Sequence, residues 1–171
     1  MFNKHISSGF SPKDPVVMAN NTSLTYSHLD LHRFTGAQCG IYKMILGELS
    51  RGKKQYHWMW FIFPQIDGFW DSEASSYYSL KDLEEAYQYL AHPILGTRLI
   101  ECTKTILAVE GRSAADIFRY PDNLRFHSSM TLFAYFSGFD SIFISALIKY
   151  FNGAKDETTL QLLINDRSRS H

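Results

Sequence analysis

The chain has little cysteine, no excess of either charge and no long apolar run, and each shortage removes a class of protein. Two cysteines in 171 residues, Cys39 and Cys102, are too few for a disulfide framework and too far apart for a paired-ligand spacing. Reduced thiols in a cytoplasmic protein are the expectation. The histidines are scattered and no CxxC occurs, so no metal site and no cofactor are expected. Seventeen basic and seventeen acidic side chains cancel, which removes the electrostatic footprint of a protein held mainly by phosphates and makes nucleic acid an unlooked-for partner. The most apolar stretch falls short of the roughly 20 residues a membrane span requires, and no apolar h-region precedes Ser11-Pro12. Neither a transmembrane segment nor a signal peptide is expected. Internal repeats and low-complexity tracts are absent as well.

What remains is a chain that is 45% apolar, enough for one core in one domain without staples. It is centred on His57-Trp58-Met59-Trp60-Phe61-Ile62-Phe63-Pro64-Gln65. Rings of this size must be buried, while His57 and Gln65 at the two ends need hydrogen-bond partners or a ligand. Pro64 pushes Phe63 towards an extended conformation, so the run reads as one or two helical turns leading into an extended Phe-Pro-Gln segment.

Residues 1–26 show no period of 2 or 3.6 and read as an arm, either flexible or laid across the body by its apolar residues. From Asp30, the recurrence of Leu31, Phe34, Gln38, Ile41, Ile45 and Leu49 predicts one long helix stopped by Gly52. A loop is expected from Ile66 to Ser79, rich in rings at Phe69, Trp70, Tyr77 and Tyr78. Ser79 to Asp82 and Ser113 to Asp116 have capping-box spacing and open two helices. His92-Pro93 starts another, Asp122 and Asp140 cap two more, and a last one is expected through Leu160 and Leu163. With no convincing strand pair, the pattern predicts an all-α domain of six to eight helices over 27–165, followed by a polar tail at 166–171.

Three stretches in this order, HWMWFIFPQ, then EAYQYLAHPILGTRL from Glu85, then SSMTLF from Ser128, resemble a mainly bacterial family of domains of unknown function whose members are often mislabelled calpastatin. The resemblance spans roughly residues 28–164 and implies a compact all-helical domain without an established activity. Against the family's pattern, Arg125 stands in place of a lysine and Arg119 in place of a glycine, while Trp70-Asp71 enlarge a loop. True calpastatin, disordered and proline-rich, is unrelated.

Candidate chemistry gathers on these stretches. Imidazole can act as acid, base or ligand, which makes His57 the first candidate catalytic group. Asp122 is the second, although a capping role is the plainer one. His92, before a proline, reads as a cap. Trp60, Trp70 and Tyr78 can stack a planar ring, Gln65, Ser128 and Ser129 can orient a ligand, and Arg98 can supply charge, as can Arg125 and the Lys53-Lys54 pair. No G-x-S-x-G elbow surrounds the serines, and no base to activate them is identifiable. The expectation is an aromatic-lined pocket for a nucleotide-like or ADP-ribose-like small molecule, with hydrolysis or transfer as the chemistry it would suit. Whether the protein is an enzyme stays open. The alternative is a non-catalytic interaction module that meets a protein partner or a second copy through the ring-rich loop and the arm.

Overall fold

The computed structural model describes residues 31–68 and 72–169. Helix α1 runs through 31–38 and α2 through Tyr42–Ser50; α3 (Met59–Ile62) and α4 (Glu73–Tyr77) are short. Then come α5 (Leu83–Ala91), α6 (Leu95–Leu107), α7 (Ala114–Phe118), α8 (Asp122–Tyr135), α9 (Ile142–Phe151) and α10 (Glu157–Arg169). The described residues are thus all-helical, with ten helices where six to eight are expected from the sequence. Extended pairing is limited to one isolated parallel bridge between Ile66 and Leu80. No helix among the described residues is long and apolar enough to cross a membrane.

The extra helices arise where local chemistry overrides periodicity. The single helix predicted from Asp30 to Gly52 is broken at Gly40, which takes a φ of +77° that side chains avoid; Asp30 itself lies outside the described residues. Gly52, at φ +63°, ends α2 as its position predicts. Part of the expected loop at 66–79 is helix α4, because Ser72 and Ser75 form a reciprocal capping box. Downstream, Asp82 and not Ser79 caps α5, accepting from the Glu85 N–H at 2.8 Å; Ser79 donates instead to Asp67 and the Ser76 carbonyl. Ser141 rather than Asp140 caps α9. Asp122 is no cap either: Pro121 holds that position without a side-chain bond, and Asp122 is the first helical residue. Helix α10 continues through Arg169, into the stretch read as a polar tail.

Other signals act as expected. His92 accepts at Nδ1 from the Ile94 and Leu95 N–H groups, Ser113 and Asp116 form a capping box, and Asn152 adopts the left-handed conformation that closes α9.

Helix α8 is the axis of the fold and packs on α3, α7, α9 and α10. From Phe126 to Ala134 nearly every residue is buried, serines and threonine included, as befits a helix covered on several sides. The central run buries Trp58, Met59, Ile62 and Phe63 in the core. Phe63 is not extended as the proline suggests but leaves α3 at φ −120° and ψ 68°; it meets the Phe118 and Phe126 rings edge-on at 6.0 and 5.1 Å, and each such pair contributes about 0.5–1.5 kcal/mol beyond burial. This aromatic joint brings the segment carrying His57 and Trp60 against the α7–α8 corner.

Candidate functional site

The segment between α2 and α3 is held by one buried carboxylate. Glu48, on α2, accepts through Oε2 from the Gln55 N–H at 2.8 Å, the Tyr56 N–H at 3.3 Å and the Trp58 indole Nε1 at 2.8 Å. Lys54 then donates its backbone N–H to the Ile117 carbonyl at 2.8 Å, which fastens the segment to α7. Its side chain reaches past that joint to the start of α8, where Nζ lies 2.7 Å from Asp122 Oδ2. One turn along, Arg125 Nε is 3.4 Å from Asp122 Oδ1. Each oxygen of the carboxylate therefore faces one cation.

Around this trio opens a cleft of about 290 Å³, walled by Gln55, His57, Trp60, Arg119 and Tyr120 in addition to the three charged groups. That volume lies at the lower edge of what small-molecule sites occupy. The Arg125 guanidinium sits 5.0 Å from the centroid of the Trp60 ring, and the His57 ring runs nearly parallel to Trp60 at 6.4 Å. Among the described lining residues, Lys54, Arg119 and Arg125 against Asp122 leave two net positive charges. Lys54 and Arg125 are almost wholly withdrawn from solvent, with side-chain exposures of 7% and 8%, and charges so placed are weakly screened by salt. Burial pushes the Arg125 guanidinium below its ordinary pKa, and Asp122 opposes the shift.

The end of α8 adds no free backbone donors beyond its first residue. The N–H groups of Asn123, Leu124 and Arg125 already donate to the Arg119 and Pro121 carbonyls, so recognition of an anion in this cleft falls to side chains.

Trp60 also walls a second, far smaller cavity with Gln65, Asp67, Ser75, Tyr78 and Ser79. Its volume, about 10 Å³, admits a single water-sized group. Two buried donors, Trp60 Nε1 and Gln65 Nε2, have no hydrogen-bond acceptor among the described residues.

The candidates from the sequence divide accordingly. His57, Trp60 and Asp122 share the cleft; Gln65 and Tyr78 belong to the small cavity behind Trp60. Ser129 falls on the same face of α8 as Asp122 and Arg125 by helical spacing, and its buried hydroxyl has no partner among the described residues. Ser128 points elsewhere, to the Thr159 hydroxyl at 2.7 Å. Arg98 does not line the cleft: it donates to Gln38 Oε1 at 3.1 Å and lies over the Tyr42 ring. Trp70 lies outside the described residues. Lys54 and Arg125, which the sequence offers only as sources of charge without a place, prove to be nearly buried cations of the cleft, and the one available signal was Lys54's place beside the aromatic run. Among the described residues, no group of three or more His, Cys, Asp or Glu is arranged to hold a metal ion.

An all-helical domain with a basic, ring-walled cleft between its central aromatic segment and the start of its axial helix defines the class. The chain belongs to the family described as protein of unknown function DUF1810, whose model matches residues 28–163. It is similar to the crystal structure of the conserved hypothetical protein Rv1873 from Mycobacterium tuberculosis, with 45% identity and a TM-score of 0.77 over 79% of this chain and 96% of that one. A comparison with curated proteins finds no match.

Proposed function

We propose that the protein binds a small anionic ligand carrying a planar ring, of nucleotide or ADP-ribose type, in the cleft between Lys54 and Trp60. The observation that supports this most directly is the excess of cations around Asp122, two of them withdrawn from water beside an aromatic ring. Such an arrangement attracts an anion more strongly than the same charges would on an open surface. Asp122, with each oxygen turned to a cation, serves to hold Lys54 and Arg125 apart and in place. That leaves His57 as the cleft's group for proton transfer, with hydrolysis or transfer at a phosphate or glycosidic bond as the chemistry within its reach. Ser129 and Gln65 are assigned to orientation.

The test is a thermal-shift series of the whole protein against ADP-ribose, NAD, nucleotides and sugar phosphates, run beside Lys54→Ala and His57→Ala. Ligand at a hundred times its dissociation constant stabilises by about 2.7 kcal/mol, worth several degrees here. Shifts that vanish in Lys54→Ala support the reading; a flat panel on folded protein refutes it.

A second reading, a non-catalytic interaction module, draws on another surface. Phe139 is 94% exposed and shares a shallow groove with Tyr135 and Ile144. Rings so placed suit a protein contact. Light scattering at rising concentration, with Phe139→Ser as control, tests self-association through it. Trp70 and the arm, where the sequence suggests such a contact, lie outside the described residues.

A further inference from the structure

We infer that the cleft selects ligands with two neighbouring anionic groups, such as a diphosphate, over ligands with one, and that Arg119 makes the selection. The inference rests on the anionic-ligand reading above and deepens it. Arg119 follows α7 with φ 60° and ψ 165°, a conformation that glycine adopts freely and other residues almost never do. A side chain is nevertheless present there, that of an arginine which lines the cleft and is exposed to solvent.

Its surroundings say what it could do. Lys54 and Arg125 are both engaged by Asp122, so that inner trio carries one net positive charge and balances one anionic group. Arg119 adds the second charge, and its guanidinium makes no hydrogen bond or ion pair among the described residues. A planar fork of donors is suited to bidentate recognition of a phosphate oxygen pair. The backbone of Arg119 is fixed on both sides, its N–H donating to the Ala115 carbonyl and its carbonyl accepting from the Asn123 N–H, each at 2.9 Å. The cation is therefore carried by a stiff turn between α7 and α8 and not by a mobile loop. A ligand whose first anionic group meets Lys54 and Arg125 presents its second towards Arg119.

The experiment is calorimetric titration of the full chain at constant ionic strength with AMP, ADP, inorganic phosphate and pyrophosphate, for the wild type, Arg119→Gly and Arg119→Lys. In the wild type, ADP binds about tenfold tighter than AMP, and pyrophosphate exceeds phosphate similarly, as expected for one additional charge-assisted contact. Arg119→Gly brings ADP to within about twofold of AMP, weakening ADP far more than AMP, and raises the melting temperature as the strained turn relaxes. Arg119→Lys keeps part of the preference, which separates lost charge from altered backbone. Equal binding of AMP and ADP by the wild type, or an undiminished preference in Arg119→Gly, overturns the role of Arg119 while leaving the anionic-ligand reading standing. Failure of all four probes to bind folded wild type overturns both.

Discussion

Lys54 Nζ and Asp122 Oδ2 meet at 2.7 Å, joining the segment before α3 to the first turn of α8. Arg125 approaches the other carboxylate oxygen at 3.4 Å, so the single anion separates two nearly buried cations. Removing Asp122 should hurt more than removing Lys54. Asp122→Ala leaves two like charges without their shared counter-ion and is expected to lower stability by about 3 kcal/mol. Lys54→Ala leaves Asp122 with Arg125 and should lower it by about 1–2 kcal/mol. Urea unfolding of both variants measures the difference. Inorganic phosphate should restore more stability to Asp122→Ala than it adds to the wild type, since it returns a negative charge to the same cations. An Asp122→Ala protein as stable as the parent would show that the trio contributes nothing.

Glu48 is the buried support of that arrangement. Its Oε2 gathers three donors from residues 55, 56 and 58, which is why the backbone leading to His57 follows α2 so closely. Glu48→Gln keeps the shape and removes the charge, so it should cost about 1.5–3 kcal/mol, the range for hydrogen bonds to an ionised acceptor. Glu48→Ala should cost more, because three buried donors lose their acceptor together. Thermal melts give the loss, and the emission of Trp58, one of those donors, should change in step. If Glu48→Gln melts with the parent and its indole emission is unaltered, the carboxylate does not organise this segment.

The all-α architecture was legible in the sequence because capping and helical spacing are local. Ser113 with Asp116, His92 before Pro93, and Asn152 before Gly153 each act through neighbours within a few residues. The central run was legible as core for a similar reason: Trp58 and Phe63 have no alternative to burial. The residues that line the candidate cleft were legible in half. His57, Trp60 and Asp122 could be named from residue type and motif, yet nothing periodic announces that Lys54 reaches Asp122, since that pairing depends on how Phe63 docks on Phe118 and Phe126. Arg98 illustrates the converse: a charge in a strong motif is taken up by Gln38 and the Tyr42 ring. Asp122 was misread as a cap because aspartate before a helix usually is one; the Lys54 and Arg125 charges claim it instead.

Gly96 marks the corner between α5 and α6. A Cβ at that position would lie 1.9 Å from the Leu90 carbonyl oxygen, a backbone atom that cannot step aside by changing rotamer. The glycine accordingly permits the close approach that lets His92 cap the start of α6. Gly96→Ala should lower stability by about 3 kcal/mol or more, at the upper end of overpacking. Gly36, whose added Cβ would meet nothing within 4 Å, provides the control: Gly36→Ala should stabilise slightly if it changes anything, by helix propensity. Chemical denaturation of the two variants side by side decides it, and equal behaviour would mean that the corner relaxes freely.

The two thiols should differ sharply in reactivity. Cys39 is exposed and Cys102 buried, within the α6 face that packs on α2. Burial is the main influence that pushes the Cys102 thiol up to about 12, with the Tyr42 hydroxyl drawing it the other way. Because the thiolate is the reactive form, and because access is closed as well, Cys102 should stay silent at mild alkaline pH. Ellman's reagent on native protein at pH 8 should therefore titrate one thiol quickly and the second only after denaturant is added. Cys39→Ser should abolish the fast phase, and Cys102→Ser should leave it intact. The slow phase also reports opening of the core: its rate in native buffer should follow the stability of each variant above when opening and closing are faster than labelling. A fast second equivalent in native protein would mean that α2 and α6 part far more readily than their packing implies.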